Sequence, residues 1–280
     1  MNTLFRGLNC CTLAVSLTLL TSATAHSGEP VRLRHNPTRW WWIHGVTESQ
    51  VTQHINDTNS RIIDLEIESL NPARFSAVTV ENTGAYRANR WYWRHSIPGV
   101  SSLVPYLNEH NRTCVVDLEI NTINGPNGSV PIYAYVVADD PQIETDECNY
   151  IYAGNYNGYN FFDLDPHSII GGPPFLAGAY NTLQGDSSQR TYYYPGKSLD
   201  EIKNLINSRN LRIIDIERAS RDSFNVIMTN NIGVGWYWHI GVSVNDVGQL
   251  LRRYNNFRII DIEPYQRGGQ KFFDIIWVEN

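Results

Sequence analysis

The sequence predicts an α+β fold made of tandem β-α-β-β repeats, four clear and one degenerate, forming a single curved or partly closed repeat domain. Three observations lead there. One phrase recurs: Arg-Ile-Ile-Asp-x-Glu at residues 61–66, 212–217 and 258–263, with a near-copy, Cys-Val-Val-Asp-Leu-Glu, at 114–119. A run of three aromatic residues precedes three of these copies by a similar distance and the fourth by slightly more. A capped, amphipathic stretch fills most of the intervals. Self-similarity of this kind marks repeat architectures, in which each unit buries its apolar face against its neighbours.

The aromatic openers are Trp40-Trp41-Trp42, Trp91-Tyr92-Trp93, Tyr192-Tyr193-Tyr194 and Trp236-Tyr237-Trp238. Flat rings suit a pleated surface, so each opener reads as a short strand. Strand alternation puts both tryptophans of Trp-Tyr-Trp on one face and the tyrosine on the other. A helix follows. Thr47 with Gln50, and Ser198 with Glu201, form capping boxes, and Ser243 with Asp246 is a weaker version. Ile202, Leu205 and Ile206 then fall on one stripe, as do Val247, Leu250 and Leu251, and Leu103, Tyr106 and Leu107. The Ile-Ile-Asp-x-Glu phrase is the next strand, and an apolar strand closes the unit.

The phrase aspartates stand at 64, 117, 215 and 261, and the interval from 117 to 215 is nearly double the others. Asn160-Phe161-Phe162-Asp163-Leu164-Asp165 fits a hidden copy there, giving steps of 53, 46, 52 and 46 residues. Its opener would be Tyr150-Ile151-Tyr152. Too few residues remain for a helix, so 153–159 is expected to be a loop, with a further turn at Gly171-Gly172-Pro173-Pro174. The predicted units are 39–82, 90–140, 148–182 (degenerate), 191–231 and 235–280.

Arg6, the apolar run 8–20 and Ala23-Thr24-Ala25 read as a signal peptide over residues 1–25, followed by a short lead, 26–38. The chain is then expected to be exported, to the periplasm or the extracellular space, and not to span a membrane. No catalytic domain is expected outside the repeats. The formal net charge is −6, which gives no general attraction to nucleic acid. Cys114 and Cys148 would either form one disulfide or remain two thiols, with Cys114 buried in a strand. Nothing in the sequence fixes an oligomeric state.

Four groups of residues could carry chemistry. The pairs Asp64/Glu66, Asp117/Glu119, Asp215/Glu217 and Asp261/Glu263 could line one surface. They would then bind Ca²⁺ through oxygen ligands or act as acid and base on a sugar. The plainer reading is a scaffold, with each aspartate tied to a neighbouring backbone N–H or arginine, because a feature present in every unit is how units lock together. The openers offer Trp41, Trp91, Trp93, Tyr193, Trp236 and Trp238 as candidate ligand-binding rings, against a plainer role in the core. Asp163, Asp165 and His167 could ligate a metal, against plain decay of the repeat. His44, His95 and His239 sit just after openers. No cofactor is otherwise indicated. Gly-x-Ser-x-Gly, His-Glu-x-x-His, a phosphate loop and Cys-x-x-Cys are all absent.

Opener, Ser/Thr-capped helix, Arg-Ile-Ile-Asp-x-Glu strand and following strand together resemble the polyglycine-hydrolase-type repeat, also called the bacterial tandem repeat domain. The resemblance covers residues 39–280. It implies strand-helix-strand-strand units with strands inside and helices outside, in an exported protein. Some members of that family carry a serine hydrolase domain of the β-lactamase type after the repeats. This chain lacks the Ser-x-x-Lys nucleophile: Tyr194, Asp200 and Gly268 stand three residues before Lys197, Lys203 and Lys271. No catalytic residue therefore transfers. The expected function is a secreted, non-enzymatic recognition module for an extracellular peptide or glycan polymer. The alternatives are a stand-alone peptidase- or glycosidase-like hydrolase using the repeat carboxylates, and a structural or envelope scaffold for protein–protein interaction.

Overall fold

Each opener forms a strand, each phrase forms a second, and the strand after the phrase lies between the two. The computed structural model describes residues 36–99, 102, 105, 114–125, 128–139, 148–151, 159–167, 175–182, 191–231 and 233–280, with residues 5 and 6. The first sheet contains β1 (Phe5–Arg6), β2 (Trp40–Val46), β3 (Ser60–Leu70) and β4 (Ala73–Glu81), in the order β1-β2-β4-β3. The second has β5 (Trp91–Pro98), β6 (Cys114–Gly125) and β7 (Gly128–Ala138), ordered β5-β7-β6. The third has β8 (Cys148–Ile151), β9 (Tyr159–His167) and β10 (Phe175–Thr182), ordered β8-β10-β9. The fourth orders β11 (Thr191–Lys197), β12 (Leu211–Arg218) and β13 (Phe224–Asn230) as β11-β13-β12. The fifth orders β14 (Trp236–Ser243), β15 (Phe257–Arg267) and β16 (Gln270–Glu279) as β14-β16-β15.

All the pairings are antiparallel, so opener and phrase strand run parallel to each other on either side of the middle strand. Parallel strands need a crossover, and a helix is the usual one. α1 (Glu48–Thr58), α2 (Leu199–Arg209) and α3 (Val244–Arg253) supply it in the first, fourth and fifth sheets. Thr47 and Ser198 close full capping boxes, whereas Ser243 accepts the Asp246 N–H and donates its hydroxyl to Asp246 Oδ2 without completing the box. α1 and α2 end on Asn59 and Asn210 in the left-handed conformation, which asparagine tolerates better than most side chains. The stripe Leu103, Tyr106, Leu107 lies outside the described residues, as does the turn at 171–174. Residues 152–158 are also outside, while Tyr159 opens β9 rather than ending a loop.

A β-bulge recurs in each phrase strand. Ile63, Val116, Ile214 and Ile260 are the extra residues immediately before the aspartates. Phe162 is skipped in the same way before Asp163 on β9. A second irregularity follows each opener in the other four sheets, where two residues lack a partner on the middle strand. The second of the two has positive φ: Gly45, Ser96, Gly196 and Gly241. Two expectations are corrected. Regular alternation would leave Asp215 and Glu217 on an open face opposite Ile214 and Ile216. Instead β12 is buried throughout residues 211–217, because neighbouring sheets cover both of its faces. The pairing also makes Thr191-Tyr192-Tyr193, not Tyr192-Tyr193-Tyr194, the equivalent of Trp40-Trp41-Trp42: Tyr193 pairs with Ile227 as Trp42 pairs with Val78.

The cores lie between sheets rather than within them. Trp40 and Trp42 of the first sheet pack with Phe257, Phe273, Ile275 and Trp277 of the fifth. Trp91 and Trp93 of the second pack on Ile62, Leu65 and Phe75 of the first. Trp236 and Trp238 of the fifth pack on Ile213, Ile216 and Val226 of the fourth. Phrase strands also pack side by side: β3 beside β6 and β15, and β9 beside β6 and β12, with β12 also beside β15. Among the described residues no helix is long and apolar enough to cross a membrane.

Candidate functional site

The phrase strands bring their carboxylates together. Asp117 Oδ2 on β6 accepts the Leu65 N–H of β3 at 3.1 Å, and Asp261 Oδ2 on β15 accepts the Ile216 N–H of β12 at 3.3 Å. Each bond ties one sheet to another at the residue after that sheet's own phrase aspartate. Glu66, Glu119 and Glu217 come from three different strands, and their carboxylate oxygens lie within 4.8 Å of one another, all buried. Burial pushes the Glu66 carboxyl well above the ordinary 4.5, and the charges of Glu119, Glu263, Glu217 and Asp64 push the same way.

Such a cluster has limited chemistry. Two carboxylates 4.8 Å apart repel by about 3.5 kcal/mol at an effective dielectric of about 20, so full ionisation is costly. The cluster can share protons among its members. It can also surround a cation: oxygens on one Ca²⁺ stand about 2.3–2.6 Å from it and so at most about 5 Å apart, which the three glutamates satisfy. It does not form an open cleft with two accessible carboxylates, as acid–base attack on a polymer would require. Asp64, Asp117, Asp215 and Asp261 are buried as well.

The openers divide as alternation dictates, but the tryptophans take the inward half. Trp41 is 3 % exposed and meets the His54 ring edge-on at 5.7 Å. Trp93 meets Phe75 edge-on at 5.7 Å. Trp91, Trp236, Trp238 and Tyr193 are half-buried against the cores described above. None of these six is an open platform, because each seals a sheet-to-sheet or helix-to-sheet joint. The tyrosines face outward: Tyr92 is 42 % and Tyr237 44 % exposed. Tyr237 has further rings beside it, Tyr254 at 4.8 Å and Phe257 at 4.9 Å. The Arg253 guanidinium lies 5.5 Å from the Tyr254 ring centre, and His239 is 5.6 Å from the same ring. Together they make an aromatic shelf at the C-terminal end of α3. Tyr254 lies outside the aromatic triplets. Its signal was an aromatic residue just after a basic helix end.

The other candidates have plainer settings. His44 stacks on Trp42 at 4.6 Å, and burial lowers its pKa. His95 pairs with Glu48 at 3.2 Å, and burial lowers the pKa of His239. Asp163, Asp165 and His167 have their backbone in β9, and Cys114 and Cys148 open β6 and β8. The side chains of these five lie outside the described residues.

Two ion pairs across sheet junctions were not anticipated. Arg218 of the fourth sheet pairs with Asp274 of the fifth, whose side chain is fully buried. The Arg218 guanidinium lies 3.8 Å from the Tyr265 ring centre and 4.7 Å from that of Phe224. Burial raises the Asp274 pKa, and Arg218 works against that rise. The other Asp274 oxygen accepts the Gly241 N–H at 2.8 Å. Lys271 of the fifth sheet pairs likewise with Glu68 of the first, and Glu68 accepts the Gly45 N–H at 2.8 Å. In each case a cation on one sheet meets an acid that caps a bulge glycine on another. Comparison with known proteins adds nothing to this geometry: neither a family model nor a curated protein matches the chain.

Proposed function

We propose that this chain is an exported, non-enzymatic recognition module for an extracellular polymer, peptide or glycan. The observation that carries the reading is the Tyr237 shelf, an exposed ring backed by Tyr254 and Phe257 and flanked by Arg253. Rings of this kind present a flat apolar face and a polar rim, which suits sugars and extended peptides. Burial of the carboxylates supports recognition over hydrolysis. Among the described residues the exposed large hydrophobic side chains are Tyr92, Ile123 and Tyr237, too few for the broad apolar patch of a docking scaffold.

The architecture behind this reading is a tandem array of the polyglycine-hydrolase-type repeat, four clear units and a degenerate third one, packed in order with the first against the fifth. One strand order in five sheets, one bulge position in five phrase strands and the joint of Trp42 with Phe273 support it. The glutamate cluster is then a structural axis, held by shared protons or by Ca²⁺.

The test is retention of the exported chain on a panel of insoluble glycans and immobilised peptides. At least one matrix should retain it, and Tyr237→Ala should weaken retention about fivefold, the loss of about 1 kcal/mol of ring contact. Retention by no matrix, or equal retention of variant and parent on every matrix, ends the reading.

A further inference from the structure

The junction between the fourth and fifth sheets forms a half-open cavity of about 440 Å³. Its wall combines the start of α2, the β12–β13 connection, the bulge of β14 and the end of β15. Lys203, Arg218, Arg221 and Arg267 line it, against Asp200 and Asp222. This is a local excess of cations in a chain of net charge −6. Tyr237 is not part of it, so the cavity is separate from the aromatic shelf.

The cations are not equally available. Arg218 is committed to Asp274, and Lys203 has Asp200 at 3.6 Å. Among the described residues, no carboxylate lies within ion-pair distance of Arg221 or Arg267. The Arg267 guanidinium rests over the Phe272 ring, 4.8 Å from its centre, which restrains it without neutralising it. A guanidinium is a planar fork of N–H donors matched to a carboxylate. Asp222, on the same wall and without an ion pair among the described residues, calls for the opposite partner, because a carboxylate accepts hydrogen bonds and repels another anion, and Asp200 keeps acceptor capacity to spare beside Lys203. Tyr265 offers its hydroxyl rather than a stacking face, since Arg218 and Phe272 already engage the ring.

We propose that this cavity is a subsite for an acidic sugar, a hexuronic acid unit of an extracellular glycan. Its carboxylate sits between Arg221 and Arg267, and its hydroxyls donate to Asp200 and Asp222. An acidic peptide would satisfy the arginines, but its remaining carboxylates would be repelled by Asp200 and Asp222, to which only its backbone N–H groups could donate. A neutral sugar would satisfy the aspartates but give the arginines no carboxylate. The volume falls within the range of about 300–1,000 Å³ typical of small-ligand pockets.

Calorimetric titration of the exported chain with a tetramer of galacturonic acid tests the assignment. Its methyl ester and a tetraglutamate peptide are the comparison probes. The tetramer should bind, the ester should bind at least about tenfold more weakly, and Arg221→Gln with Arg267→Gln should cost about the same. Both arginines are surface groups, so an unchanged melting temperature is expected and certifies folding of the double variant. Retention on the insoluble matrices reads the shelf through Tyr237, and calorimetry reads the cavity through the two arginines, so failure of the shelf and failure of the cavity are read apart. No binding of the tetramer, full binding by the double variant, or equal binding of tetraglutamate overturns the proposal.

Discussion

Replacing Glu66 by Gln should stabilise the protein at neutral pH. Glu66 shares a buried cluster with Glu119 and Glu217, with oxygens no more than 4.8 Å apart. Each ionised neighbour would cost Glu66 about 3.5 kcal/mol at an effective dielectric of about 20, and two would cost about 7. A net folding stability of about 5–15 kcal/mol cannot easily absorb that, so the folded state keeps protons on the cluster. The sign follows. Unfolded, Glu66 loses its proton near 4.5, and folded it holds the proton to higher pH. Between those values the native state binds more protons, so stability is greatest below the unfolded pKa and falls as pH rises through the folded one. Gln cannot ionise and keeps the shape. Thermal melts with chelator, at constant ionic strength and between about pH 5 and about pH 8, should show the parent losing stability with rising pH. Glu66→Gln should lose less, and at the upper end should exceed the parent by about 2 kcal/mol, or about 4–8 °C. An equal pH slope in the two proteins, or a variant less stable than the parent at about pH 8, would refute the reasoning. Calcium supplies a second arm. If the cluster holds the ion, the parent's melting temperature at about pH 8 rises with added Ca²⁺ and the variant's rises less.

Further outcomes are expected for five variants. Asp274→Ala leaves the Arg218 charge without its buried partner and should cost about 3 kcal/mol in denaturant unfolding. Gly241→Ala places a Cβ at φ +72°, 3.1 Å from Tyr265 Oη, and should cost about 1–2 kcal/mol by the same measurement. Ser198→Ala removes the α2 capping box and should cost about 1 kcal/mol, read as a lower melting temperature. Trp42→Ala should cost about 3–5 kcal/mol, whereas Tyr237→Ala should change stability by about 0.5 kcal/mol or less and act on binding alone.

Much of the fold was legible because strands and caps are written locally. Thr47/Gln50 and Ser198/Glu201 are complete signals within four residues, and they fix the starts of α1 and α2. The strand at Asp163 was legible for a different reason: spacing survived where side chains had drifted. The register of the fourth opener was not legible, because Thr191 takes the place of a tryptophan and three consecutive tyrosines allow either alignment. The bulges were hidden too. Arg-Ile-Ile-Asp looks like regular alternation, and only pairing with the middle strand shows that one residue is skipped. That skipped residue misdirects any inference about which side chains share a face. The candidate site was legible in kind but not in exposure. Whether Trp or Tyr faces solvent depends on which sheet lies alongside, and no window of sequence holds that information. The Arg218–Asp274 and Lys271–Glu68 pairs join residues 56 and 203 positions apart, beyond any local pattern.

The contact between Lys271 and Glu68 bears on how the chain reaches its native state. Bringing together points 203 residues apart costs about 5 kcal/mol of loop entropy if the intervening chain is still unfolded. It costs far less once the sheets between them have formed and carry the ends toward each other. Folding should therefore proceed by successive docking of neighbouring sheets, with the meeting of the first and fifth as the last step. Until then Trp40 and Trp42 have no Phe273 or Trp277 to cover them. A chain interrupted before its last sheet would leave an aromatic surface uncovered, and self-association is the expected fate of that intermediate.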